Sequence, residues 1–445
     1  MSNNLMRKQA IKVGKMVELP ESWSVKQIKE TMDLESGVWG KEDESGYPVL
    51  RSTNFTKSGY IDFEEVTYRD IPDRKIDDKK LKKGDVLLEI SGGGPKQPVG
   101  RVVFFDEKEN EDYLFGNFVK RLRLKDKLSE ENDPFYVFRF LERYYDIGQT
   151  ETLQHQTTGI RNLDYRAYMS LPLPLPPLPE QKKIASILSS VDKSIEKTDE
   201  VIEETKELKK GLMQELLTKG IVHSEFKEVM LGPKKVTVPR KWDVYTMSEI
   251  IEDTQLGTNL LGKEENKGIP LFKMGNLVKG GFNFDKIENV ELNIGLDEIE
   301  EYLLETGDFL FNTRNTPELV GKSAAWKDDL EKAVFNNNIM RIHFEDFISS
   351  YYMSYYFESK IGWDSLKRIV SGTTSVAAIY KKDLLNAKII IPSLEEQNKI
   401  ASILSSVDEK IKKEEEYKAK LERLKKGLMQ KLLTGEIRVN TDMEV

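Results

Sequence analysis

Apolar residues recur at three- and four-residue steps along two long stretches of the chain. In the first they are Ile184, Leu188, Val191, Ile195, Ile202, Leu208, Leu212 and Leu216. In the second they are Ile400, Leu404, Val407, Ile411, Leu421, Leu424, Leu428 and Leu432. This rhythm predicts two long amphipathic helices with a coiled-coil seam. The Glu and Lys between the apolar steps form the solvated faces. Outside these stretches the pattern changes to short β-branched or aromatic runs bounded by Gly, Pro and Asn, which read as strands.

The two helical stretches are copies of one another. Residues 178–221 and 394–437 align without a gap and agree at roughly 27 of 44 positions, a duplication of whole architecture. Ser393-Leu394-Glu395-Glu396 has capping-box spacing. Gly220 and Gly435 suit the left-handed turn that ends a helix. Gly211 and Gly427 stand inside the helices, where glycine costs about 1 kcal/mol relative to alanine. Close backbone approach between the two helices is the expected reason. A helix of about 38 residues is a rod of roughly 57 Å. The second helix buries its seam by running back along the first, so an antiparallel pair is expected as a spacer. Its seam comprises Ile184, Leu188, Val191, Ile195, Ile202, Leu208 and Leu212 from one helix. The other supplies Ile400, Leu404, Val407, Ile411, Leu421, Leu424 and Leu428.

The remaining sequence is duplicated too, more loosely. Pro20 and Trp23 match Pro239 and Trp242, and Tyr47–Asn54 matches Ile269–Asn276. Gly84-Asp85 matches Gly307-Asp308, and Gly116–Arg121 matches Asn336–Arg341. Helical runs at Phe135–Tyr145 and Ser349–Glu358 interleave with the strands, so each globule is α+β. The expected order is an arm at 1–19, a globule at 20–177, a helix at 178–220 and a linker at 221–238. A second globule at 239–392, a second helix at 393–435 and a tail at 436–445 follow. The arm is expected to pack near the end of the second helix. Two related globules on an antiparallel rod form a pseudo-two-fold object, the symmetry of duplex DNA.

Composition narrows the chemistry. The 445 residues include no cysteine, so there is neither a disulfide nor a thiolate zinc cage. No stretch approaches 18 consecutive apolar residues and no signal-peptide core opens the chain, so a cytoplasmic protein is expected. A net charge of −8 argues against nucleic-acid binding over the whole surface, though not against a local basic groove. Gly321-Lys322-Ser323 resembles the end of a phosphate-binding loop, but Thr316 stands where the first glycine is needed. His155, His223 and His343 lack metal-ligand spacing.

At this point the residues resemble the specificity subunits of type I restriction–modification systems. The resemblance rests on the Glu-Gln…Ile-Ala-Ser-Ile-Leu-Ser-Ser-Val-Asp pattern at 177–192 and 392–408. The Leu-Lys-Lys-Gly-Leu-Met-Gln blocks and the Pro-x-x-Trp pairs agree with it, and the similarity covers nearly the whole chain. It implies two target-recognition domains, each reading one half of a bipartite double-stranded DNA site, with the helices setting the unread gap. It implies docking to two adenine-N6 methyltransferase subunits and two restriction subunits, and no catalysis by this chain. S-adenosylmethionine, ATP and Mg are expected on the partners, none here. No Asn-Pro-Pro-Tyr or Asp-Pro-Pro-Tyr element is present.

Arg reads guanine, Asn and Gln read adenine, and Lys, Ser and Thr hold phosphates. On that basis the DNA candidates in the first domain are Arg51, Ser52, Asn54, Lys96, Gln97, Gln149, Gln154, Gln156, Thr157, Thr158 and Arg161. In the second they are Lys273, Asn276, Asn312, Thr313, Arg314, Asn315, Thr373, Thr374 and Lys382. Met213, Leu217, Met429 and Leu433 are expected to dock partner subunits, with packing inside the helix pair or against a recognition domain as the alternative. The competing function is a scaffold whose two globules bind proteins or glycans on a coiled-coil spacer.

Overall fold

The computed structural model describes residues 10–13, 15–93, 97–106, 112–157, 159–263, 268–291, 299–327, 330, 332–372 and 376–441. It divides into two compact units. The first is Met1–Asp199 with Glu416–Val445, and the second is Glu200–Glu415. Each unit therefore combines one globule with the first half of one long helix and the second half of the other.

In the first unit an antiparallel sheet runs in the order Met32–Ser36, Val119–Leu124, Val86–Glu89, Val102–Phe104. The helix Pro134–Asp146 covers one face, capped by Asp133, whose carboxylate accepts from the Tyr136 amide. Their apolar side chains merge with Ile184, Leu188, Met429, Leu432 and Leu433 into one core. In the second unit the corresponding sheet runs Ile251–Leu256, Ile339–Phe344, Phe309–Asn312, Ser323–Ala325. Helix Ser350–Glu358 packs on it, and Met213, Leu217, Ile400 and Leu404 join that core. Each globule is closed by its last strand returning to its first. Pro172–Leu175 pairs with Ser24–Gln27, and Lys388–Ile391 pairs with Asp243–Thr246.

The long helices are Leu178–Lys219 and Leu394–Leu432. They run antiparallel within each unit. Asp192 meets Lys425 at 2.8 Å and Asp199 meets Lys418 at 2.6 Å in the first unit. Lys209 meets Asp408 at 2.9 Å in the second.

Several expectations about these helices are corrected. Ile184, Leu188, Ile400 and Leu404 are fully buried, but in the globular cores, with Leu212 and Leu428 packed on the edges of those cores. Val191, Ile195, Val407 and Ile411 are half-buried, and Ile202 and Leu421 are buried. Leu208 and Leu424 are 54% and 50% exposed. The inward stripe of the first helix continues through Thr198, Ile202, Thr205 and Lys209. Leu208, one residue earlier, lies about 100° round the helix and points outward. Met213, Leu217, Met429 and Leu433 are buried in the cores of their own units, so they are not a docking surface. A Cβ at Gly211 or Gly427 would meet nothing within 4 Å, which removes close helix approach as the reason for these glycines. Both sit three residues after the exposed leucines, on the same outward face.

The terminal and linking segments have structure of their own. Most of the expected linker 221–238 folds as a hairpin that reaches one residue past it, with Phe226–Leu231 paired to Lys234–Pro239 and the turn at Gly232, φ 61°. In the arm, Ala10–Val13 pairs with Lys15–Glu18, and Leu19 enters the core that holds Leu432 and Leu433. No described helix is long and apolar enough to cross a membrane.

Candidate nucleic-acid interface

Among its smaller sheets, each globule carries a three-stranded one of the same make. In the first unit Gln154–Thr157 pairs with Ile160–Leu163, which pairs with Ser91–Gly93. In the second unit Ser371–Gly372 pairs with Ala377–Ala378, which pairs with Arg314–Asn315. The two small sheets are built from matching positions. Gly93 is required by this geometry, because a Cβ on it would stand 2.5 Å from the Gln97 carbonyl oxygen.

Backbone bonds tie each small sheet to a turn of the main sheet. Leu163 N–H donates to the Ile90 carbonyl at 2.9 Å, and Ile90 N–H donates to that of Phe118 at 2.9 Å. Ile379 N–H donates to Thr313 at 3.0 Å, and Thr313 N–H to Asn338 at 2.9 Å. The relay therefore repeats. A second loop joins each turn through the parallel bridges Val38↔Gly116 and Thr258↔Asn336. The result in each unit is a contiguous patch of hairpin, turn and loop.

The patches differ in chemistry. In the first unit the turn and loop expose Trp39, Asn117 and Phe118, and the Arg69 guanidinium lies 4.2 Å from the Trp39 ring. In the second the equivalent positions are Asn259, Asn337 and Asn338. Asn337 donates its amide N–H to the Asn259 side-chain oxygen. The hairpin positions Ile160 and Val376 are both exposed, at 47% and 61%. Sequence reading missed these residues. The Asn336-Asn337-Asn338 run was the available signal, whereas Trp39 and Ile160 carry none.

The patch gathers many of the sequence candidates. Arg51 and Ser52 form the turn beside it, since a Cβ on Gly92 would stand 3.9 Å from Ser52 Oγ. That turn is held by Arg101, which donates to the Ser52 and Phe55 carbonyls at 3.1 and 3.3 Å and to Glu89 at 2.8 Å. The Glu89 carboxylate raises the Arg101 pKa against the opposing effect of burial. Gln97 is exposed. Gln154 lies in the hairpin and donates to the Val99 carbonyl at 2.8 Å. Gln156 and Thr157 lie on the same strand, and Arg161 on its partner, half-buried. Gln149 is at the preceding turn, where its side chain reaches Thr152 Oγ1 at 3.5 Å. In the second unit Arg314 is exposed and Asn315 half-buried in the small sheet. Asn315 accepts from the Thr316 amide at 2.9 Å. Thr313 bonds the Asn338 carbonyl through its hydroxyl at 3.0 Å. Beside it, Lys322 is half-buried, and burial lowers its pKa.

Other candidates belong to the scaffold. Asn54 is buried, accepts from the Arg51 amide at 2.9 Å and donates to the Asp62 and Glu65 carbonyls at 3.0 and 3.2 Å. Asn276 does the same for Lys273, Asn283 and Asp285. Both close a loop from inside. Asn312 is fully buried. The Lys273 ammonium is taken by Glu288. Lys382 is exposed, on the short helix Lys381–Leu385 after the small sheet. Lys96, Thr158, Thr373 and Thr374 lie outside the described residues, as do the side chains of Gln156 and Thr157. Among the described residues no group of three or more His, Asp or Glu side chains could hold a metal ion.

The model of the family described as the type I restriction modification DNA specificity domain matches the chain twice, over residues 20–207 and 239–423. The chain belongs to this family. Its two copies take in both globules and most of both helices. Family members are specificity subunits, which are non-catalytic, and this chain is one. It is 29% identical to the type I restriction enzyme MjaVIII specificity subunit of Methanocaldococcus jannaschii over 95% of each chain. Identity to the type I restriction enzyme EcoKI specificity subunit of Escherichia coli is 21%, over 94% of this chain and 90% of that one. The crystal structure of the type I restriction–modification S subunit from M. genitalium shares the fold. Its TM-score is 0.54 at 18% identity, over 92% of this chain and 96% of that one.

Proposed function

We propose that the recognition domains are residues 20–177 and 239–392, and that each reads one half of an asymmetric, bipartite double-stranded DNA site. The small sheet with its adjoining turn and loop is the reading surface in each. The observation that carries this is the recurrence of one exposed hairpin-and-turn patch, on the same backbone relay, in two domains whose side chains there differ. A shared frame with divergent tips suits two half-sites of unlike sequence. Arg314 and the Asn259–Asn337 pair suit guanine and adenine edges, and Trp39, Phe118 and Ile160 suit thymine methyls and exposed base faces.

The helices set the length of the unread gap and dock two adenine-N6 methyltransferase subunits, with two restriction subunits completing the complex. S-adenosylmethionine, ATP and Mg bind those partners. The outward faces carrying Leu208 with Gly211, and Leu424 with Gly427, are the docking surfaces. They pair an exposed leucine with an open backbone in both copies of the repeat.

The test is long-read sequencing of host DNA for N6-methyladenine, with and without this gene. Loss of one bipartite motif with a fixed gap supports the reading. An unchanged methylome in a host whose methyltransferase subunits are active would overturn it.

A further inference from the structure

Each unit contains a knot of charge where three elements meet, buried in the first and half-buried in the second. In the first, Asp192 on the first long helix accepts from Lys425 on the second at 2.8 Å and from Tyr60 at 3.2 Å. It also pairs with Arg139 of the domain helix, whose guanidinium is fully buried and bonds Glu142 at 2.6 Å. In the second, Asp408 accepts from Lys209 at 2.9 Å and from the Tyr355 hydroxyl at 2.8 Å, and Lys209 also meets Glu358 at 2.9 Å. Asp192 and Asp408, Lys425 and Lys209, and Glu142 and Glu358 are equivalent positions of the duplication. Burial would by itself lower the Lys209 pKa, but Glu358 and Asp408 together hold it above the ordinary lysine value.

Buried charges of this kind rarely add stability over a well-packed apolar cluster, because both ions are taken out of water. What they add is geometry. A slip of one residue along a helix moves a side chain about 1.5 Å axially and about 100° in rotation. No ammonium in the knot keeps its carboxylate through such a slip. The knot thus fixes the register of the helix pair and the seat of the recognition domain upon it at once.

We propose that the Asp192–Lys425 and Asp408–Lys209 knots are positioning groups for target choice. They hold each recognition domain at one place on the helix pair and so restrict the unread gap to a single length, without touching DNA. This rests on the reading of the chain as a bipartite DNA reader. A slack of two helical residues, about 3 Å, corresponds to roughly one base pair of about 3.4 Å.

The experiment places Asp192→Asn, Lys425→Gln and Tyr355→Phe separately in the full chain, in a host with its methyltransferase subunits. N6-methyladenine is then scored at both half-sequences as a function of the gap between them. The inference expects the half-sequences to be unchanged. Methylation at gaps one base pair longer or shorter should rise about tenfold, equivalent to ~1.4 kcal/mol of lost discrimination. A merely structural role would lower methylation at every gap alike, and that result overturns the inference. So does methylation confined to the original gap, or relaxation of the bases themselves. Tyr355→Phe removes one hydroxyl and keeps the ring, so it carries the test where the charge variants fail to fold. Should the unsubstituted chain yield no bipartite motif at all, the failure lies with the functional reading and not with the knots.

Discussion

The indole N–H of Trp23 donates to the carboxylate of Glu180 at 3.1 Å. Trp242 donates to Glu396 in the same way at 3.0 Å. Glu180 is almost wholly buried and also takes Arg438 through two bonds, of 2.6 and 2.7 Å. Glu396 takes the Ile221 amide and His223 Nε2, each at 2.8 Å. Next to them, Gln181 accepts from the Asp133 amide and Gln397 from that of Ser349, at 2.9 and 2.8 Å. The recurring Glu-Gln of the helix starts is therefore a clasp. Glu anchors the opening tryptophan of the globule, and Gln anchors the cap of the domain helix.

Glu180→Ala leaves Arg438 and the Trp23 indole without their shared acceptor. A loss of about 1–3 kcal/mol in the stability of the first unit is expected, from the buried Trp23 indole N–H left without an acceptor, because the half-exposed Arg438 turns to water. Urea unfolding followed by tryptophan fluorescence measures it. A loss near zero would mean that the clasp is ornamental. Glu180→Gln keeps an acceptor for Trp23 and should fall between the two.

Glu358 gives a pH prediction. Burial raises its pKa above the ordinary value of 4.5, and the Asp408 charge adds to this, while Lys209 opposes it. The folded state therefore binds the proton more tightly than the unfolded state. The stability contributed by that proton is complete below pH 4.5 and is lost as pH rises through the raised value. Glu358→Gln should flatten this decline in the second unit. Denaturation midpoints collected from pH 4.5 upward test the sign, and a slope unaltered by the substitution would refute it.

The duplication, the two helices and the α+β class were legible because they rest on periodicity and on repeated residues. Their finer assignments were not. Leu208 fits a three-four rhythm by spacing, yet Thr205 and Lys209 hold the inward positions, a choice that depends on what the domain helix presents there. Met213 and Leu217 look like spare apolar residues until the globule is folded against them. Asn54 and Asn276 have the side chain of a base reader and the position of an internal loop clasp. Ser393 accepts from the Glu396 amide at 3.4 Å as the capping box predicts, but the Glu396 carboxylate is drawn away by Trp242. In each case the partner comes from far along the chain, and local pattern cannot name it.

Leu208 and Leu217 should separate partner docking from folding. Leu217 is fully buried in the core of the second unit, so Leu217→Ala is expected to cost about 2–5 kcal/mol. Leu208 is more than half exposed, so Leu208→Ala should change stability by no more than about 0.5 kcal/mol. If its face docks a methyltransferase subunit, Leu208→Ala should nevertheless weaken copurification with that subunit. Unchanged assembly would remove this face from consideration.

The second patch distinguishes base reading from phosphate holding. Arg314 and Asn337 stand exposed on the small sheet and its turn, whereas Lys382 stands apart on a short helix. A bidentate base contact is worth about 1–3 kcal/mol of discrimination. Arg314→Ala or Asn337→Ala should therefore relax one or two base positions in a single half-site and leave the other half-site as strict as before. A lysine on a phosphate contributes a counterion instead. Lys382→Ala should weaken binding evenly across sequences and reduce the slope of log affinity against log salt by about 1. Binding of the reconstituted complex to duplexes with single-base changes, at several salt concentrations, reads both quantities. If Arg314→Ala shifts only the salt slope, the arginine holds a phosphate, and base reading passes to the paired amides of Asn259 and Asn337. If it relaxes both half-sites together, the two patches do not act as separate readers, and the assignment of one domain to each half fails.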